Sequence, residues 1–148
     1  MEYAFSDCKE LIEVPSIDTS DAVSFFNTFS NCTSLQRING TINLGSATTT
    51  KQMFSYCGIS NAPTLSGGSN ITEAEKMFSH AENLTSAPAF STGSMTKMKN
   101  MFDSCYSMTT VPTYDYSSAT DMERIFYGCR SLVSIGNINS SSVPSLYQ

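Results

Sequence analysis

Charge is scarce in this chain, and so are histidine, long apolar runs and any excess of basic residues. Lys, Arg, Asp and Glu make up 14% of the 148 residues, against roughly 25% in a typical soluble domain. Eight Lys plus Arg face thirteen Asp plus Glu, for a formal net charge of -5. No positive field is therefore expected that could hold a nucleic-acid backbone or an anionic membrane surface. No apolar stretch approaches the roughly 20 residues of a bilayer-crossing helix. The opening Met1-Glu2-Tyr3-Ala4 has neither the basic nor the apolar region of a secretory leader. These absences argue against nucleic acid as a partner, against membrane insertion and against a signal peptide. Ser and Thr fill the space, so the surface is expected to be hydroxyl-rich.

The single histidine, His80, limits the chemistry further. It has no matched Ser or Cys partner in a catalytic motif, and zinc would want a local Cys-x-x-Cys or a Cys/His cluster. The carboxylates Asp18, Glu73, Glu75, Asp115 and Glu123 fall in capping or solvent-facing phases. Gly67-Gly68 lacks the Lys and Ser/Thr of a phosphate loop. The sequence thus predicts no enzyme, no metal and no cofactor. Five Asn-x-Ser/Thr sequons, at Asn31, Asn39, Asn70, Asn83 and Asn139, would matter in a eukaryotic secretory pathway, but so Ser/Thr-rich a chain generates them by chance.

What the chain does have is a repeat. Phe5, Phe29, Phe54, Phe78, Phe102 and Phe126 are separated by 24, 25, 24, 24 and 24 residues, and the position three after each holds Cys8, Cys32, Cys57, Ala81, Cys105 and Cys129. Leu11, Leu35, Leu84, Met108 and Leu132 follow, with Val14, Ile38, Ala87, Val111 and Ile135 three residues further on. The third copy reaches this pattern one residue early, through Ile59 and Ala62, and the second has one extra residue around Gly40. Pro15, Pro63, Pro88 or Pro112 comes directly after the second apolar residue, and Ile17, Leu65, Phe90, Tyr114 or Ile138 two residues beyond it.

Ahead of each Phe the apolar period suits a helix: Met98, Met101, Phe102 and Cys105, then Met122, Ile125, Phe126 and Cys129, sit at i, i+3, i+4 and i+7. Ser94-Met95-Thr96 and Ser117-Ser118-Ala119-Thr120-Asp121 could cap those helices. One helix and one short strand per 24 residues has the dimension of a leucine-rich-repeat coil. The pattern predicts an α/β solenoid of about six coils starting near 1, 25, 50, 74, 98 and 122, a single domain over 1–148, with a parallel sheet on one face and short helices on the other. Stacking would bury each Phe, Cys, Leu and Val on its copy in the next coil. The Cys would then be free core thiols, because equivalent positions in stacked coils stand too far apart for disulfides.

The stretch Met101 to Met122, and the Phe-x-x-Cys-x-Ser-Leu core at Phe29–Leu35 and Phe126–Leu132, resembles the BspA-like leucine-rich repeats of bacterial surface proteins. That resemblance implies an extracellular or cell-surface protein, or a phage virion component, that adheres to a protein or glycan. A binding row would lie on the sheet face, at Glu13, Arg37, Asn61, Ser86, Thr110 and Ser134, with exposed Tyr114 or Tyr116 as a stacking platform. Met1 and Leu146 fall in the same repeat phase as Met98 and Met122, and neither end reads as a polar capping repeat. The chain is therefore expected to be a segment of a longer protein or to associate end to end, which makes a structural spacer or head-to-tail assembly unit the alternative function.

Overall fold

The helical expectation fails on backbone sign. In the computed structural model, which describes residues 1–137, Gln52 and Tyr56 stand two residues either side of Phe54 with φ of 56° and 56°. Asn27 and Asn31 flank Phe29 in the same way, as do Lys76 and His80 for Phe78, and Asn100 and Ser104 for Phe102. A right-handed helix cannot pass through left-handed residues at every fourth position. The segment instead folds as linked turns, with N–H groups of Met53, Ser55 and Cys57 bonded to carbonyls three residues back, at Thr50, Gln52 and Phe54. In the Thr50–Met53 and Phe54–Cys57 turns the positive φ falls on the third residue, Gln52 or Tyr56, as type II geometry requires.

The intervening N–H groups point to the next repeat. Gln52, Phe54 and Tyr56 donate to the carbonyls of Glu75, Met77 and Ser79, and Lys76, Phe78 and His80 donate to Lys99, Met101 and Asp103. Each repeat thus forms one layer, bonded to the following layer along the Phe segment. The backbone groups that an α-helix would satisfy internally are satisfied between layers.

This corrects the predicted α/β leucine-rich-repeat solenoid. Among the described residues there is no helix, and the strands form three separate two-stranded parallel sheets rather than one continuous face. β1 (Glu13–Val14) pairs with β2 (Arg37–Ile38), β3 (Thr41–Asn43) with β4 (Thr64–Ser66), and β5 (Thr110–Val111) with β6 (Ser134–Ile135). Proline is one cause. Pro15 and Pro112 follow β1 and β5 directly and Pro63 precedes β4, and a residue without an N–H cannot extend a ladder. The shortened third copy is the other, because it breaks the row after β2. The proposed N-caps also serve another purpose: the hydroxyls of Thr96 and Thr120 donate to the carbonyls of Thr72 and Thr96, one layer back.

The core is a column of like residues. Successive Phe rings from Phe5 to Phe126 stack near-parallel with centroids 5.2, 5.3, 5.2, 5.5 and 5.9 Å apart, within the range of favourable offset stacking. Phe29, Phe54, Phe78 and Phe102 are fully buried, as are Met98, Met101 and Cys105. The apolar positions read as a helical stripe do face inward, on a turn ribbon instead of a helix. Ile138, Asn139 and Leu146 lie outside the described residues.

Candidate recognition surface

The expected binding row is assembled in two pieces. Glu13 and Arg37 are register partners in β1 and β2, and the Arg37 guanidinium is hydrogen-bonded to the Glu13 carboxylate, which also accepts from Asn39. Those contacts, the Arg37 bond foremost, hold the Glu13 carboxyl below its ordinary value. Ser86 bridges to Thr110, and Thr110 pairs with Ser134. Asn61 is exposed between the two pieces and belongs to neither ladder.

The two tyrosines do not belong to this row. Tyr114 and Tyr116 are each 3% exposed, and the Tyr114 hydroxyl donates to the Pro88 carbonyl at 2.6 Å. Burial pushes both phenols up, Tyr116 to about 12. The repeat itself places Tyr114 in the apolar row with Ile17, Leu65 and Phe90, and Leu65 in that row is likewise buried.

The carboxylates read as capping or solvent-facing take other partners. Asp18 and Asp115 accept the N–H of Ser20 and Ser117. Glu75 pairs with Lys51 at 3.1 Å, Glu73 with Lys97 at 2.7 Å, and Glu123 with Lys99. Along these columns the sign alternates from layer to layer, so each cation meets an anion one repeat away.

A groove that sequence reasoning missed opens where the third copy is short. Other copies run Cys-x-x-Leu or its equivalent, as in Cys32-Thr33-Ser34-Leu35; the third runs Cys57-Gly58-Ile59. Its chain is drawn inward until a Cβ on Gly58 would sit 2.1 Å from the Thr33 carbonyl oxygen, so only glycine fits. A notch remains between the neighbouring turns. One hollow is lined by Glu10, Ile12, Thr33, Ser34, Gln36, Gly58, Ser60 and Asn83. A second, sharing Thr33, Gly58 and Asn83, continues to Tyr56, His80 and Glu82. Tyr56 is 50% exposed and its ring lies parallel to His80 with centroids 4.4 Å apart. The missing residue in the third copy was the signal available in the sequence.

The five thiols are free, but they are not uniformly interior: Cys8 is exposed and Cys129 half-buried. The thiols of Cys32, Cys105 and Cys129 donate to the carbonyls of Phe5, Phe78 and Phe102, one layer back. Desolvation pushes Cys32 and Cys129 to about 11 and Cys57 to about 12. Among the described residues no group of three or more His, Cys, Asp and Glu side chains is placed to hold a metal ion, and no helix is long and apolar enough to cross a membrane.

Layered turns with an exposed polar row and a repeat-breaking groove define a repeat protein whose surface chemistry is hydroxyl, amide and carboxylate. The chain belongs to the family described as "Mycoplasma protein of unknown function, DUF285", which matches residues 1–67 and again 66–148. No curated protein and no solved structure matches the chain.

Proposed function

We propose that the protein is a non-catalytic recognition module at a cell or virion exterior, binding a protein or glycan through its polar face. The observation that carries this reading is the solvent exposure of Arg37, paired with Glu13, and of Thr110 and Ser134, paired beside Ser86, with Asn61 exposed between the two pieces. The hydroxyls of Thr110 and Ser134, in register across one ladder, and the exposed side chains of Arg37 and Asn61 offer hydrogen bonds to a polar partner. The test is binding to immobilised proteins and glycans before and after Arg37→Ala with Thr110→Ala. Loss of a ligand with unchanged solution mass supports the module; absence of any ligand on both surfaces refutes it.

A second reading, the head-to-tail assembly unit, is favoured by the polarity of the ladder. Along the Phe segment every interlayer N–H points from one layer to the next in chain order. Extension by a further repeat or by a second copy would therefore join unlike ends, a heterologous contact that does not close on itself. Concentration-dependent growth in light scattering would identify it, and a constant monomer mass would remove it.

A further inference from the structure

We infer that the groove beside Gly58 is a binding site for a neutral saccharide, with Tyr56 and Asn83 as its principal contacts; this rests on the recognition reading and moves its centre from the strand row to the notch. Two departures from the repeat border the same place. One is the residue missing from the third copy; the other is the fourth copy's His80-Ala81, where four of the other five copies end the same pair in a buried or half-buried Cys and the fifth in exposed Cys8. His80 stacks on one face of the Tyr56 ring and fixes its plane, while half of Tyr56 remains open to solvent.

The lining selects the ligand class. No Lys or Arg borders either hollow, which disfavours a phosphate or other anion. Apart from Ile12, Cys57, Gly58 and the Tyr56 ring the lining side chains are polar, so the notch offers a small apolar patch edged by hydrogen-bonding groups rather than the continuous apolar wall a lipid chain needs. The hydroxyls of Thr33, Ser34 and Ser60, the amides of Gln36 and Asn83, and the carboxylates of Glu10 and Glu82 supply donors and acceptors on both sides of the notch. A pyranose presents that complement, with hydroxyls around its edge and an apolar C–H face suited to an aromatic ring. Asn83 is already oriented, since its amide reaches the Gly58 carbonyl at 3.4 Å, a long bond that a ligand hydroxyl can replace.

The test uses the full chain on an array of neutral oligosaccharides, followed by titration calorimetry with the strongest binder. Tyr56→Asn is the informative variant, because Asn31 holds the same left-handed position one layer back. It is expected to weaken binding about tenfold, as loss of one stacking contact does, with Asn83→Ala comparable and Tyr56→Phe near wild type. Lys97→Ala, at a residue that borders neither hollow, should leave the saccharide affinity unchanged. Binding that survives Tyr56→Asn and Asn83→Ala, in variants with wild-type circular dichroism, overturns the site. Binding of proteins alone, lost on Arg37→Ala with Thr110→Ala, overturns the saccharide site and leaves the recognition reading standing. No binding to glycans or proteins overturns both.

Discussion

Thr50 occupies the repeat position that holds Phe25, Ala74, Met98 and Met122 in other layers, and it is fully buried with no partner for its hydroxyl. A buried polar group without a hydrogen bond costs about 1–3 kcal/mol. Thr50→Val keeps the shape and removes the hydroxyl, so it should stabilise the fold by about 1 kcal/mol in chemical denaturation; destabilisation would show that the hydroxyl has a partner. Accessibility separates the thiols in the same way. A thiol reagent at pH 8 should label Cys8 rapidly and Cys32, Cys57 and Cys105 only on unfolding, since the first is exposed and the others buried, and only the thiolate reacts. Labelling of two or more core thiols at the rate of Cys8 would contradict the layer assignment. The inward phase of these residues was legible in the 24-residue period, because periodicity reports which side chains face together. The exposure of Cys8 was not, because periodicity does not report how much of each layer its neighbours cover.

At the scale of the element, the turn ribbon was not legible because its apolar spacing coincides with that of a helix. Met98, Met101, Phe102 and Cys105 satisfy both; the difference lies in φ at Asn100 and Ser104, and a non-glycine residue does not announce a left-handed backbone. Asn27, Asn31 and Asn100, residues that tolerate that conformation, were the weak hint. Gln52, Lys76 and Arg124 hold the same conformation without that tolerance, whereas at the other left-handed position, two residues after the Phe, the sixth layer uses Gly128 at φ 74°. Strain of this kind costs about 1 kcal/mol or more per residue. Gln52→Gly should therefore be neutral or stabilising, and Gln52→Val destabilising by about 2 kcal/mol, as read from urea midpoints; the reverse order would restore a helical segment. In the column beneath, Phe102→Ala should cost about 3–5 kcal/mol. Cys105→Ala, which removes one small side chain and the thiol bond to the Phe78 carbonyl, should cost much less.

For the whole molecule, stability should depend on pH asymmetrically. Cys32 and Cys129 are held at about 11 and Cys57 at about 12 by desolvation, against about 8.5 for an unfolded thiol. A group whose folded value is raised favours the folded state fully below its unfolded value and loses that contribution as pH climbs to the folded one. The alkaline limb of the stability curve should thus begin near pH 8.5 and continue to about pH 12, reinforced above about pH 10 by Tyr116, itself held at about 12. On the acid side Glu13, Glu73, Asp18 and Asp115 are lowered by hydrogen bonds from Arg37, Lys97, Ser20 and Ser117. Their contribution is present above pH 4–5 and lost below it, but these carboxylates are exposed and solvent-screened, so the acid limb should be shallower. Thermal melts across pH 3–11 measure both limbs. Burial raises Cys105 as well, so replacing Cys32, Cys57, Cys105 and Cys129 together by Ala should flatten the onset near pH 8.5 and leave the acid limb unchanged, whereas an unaltered alkaline limb would assign it to the tyrosines alone.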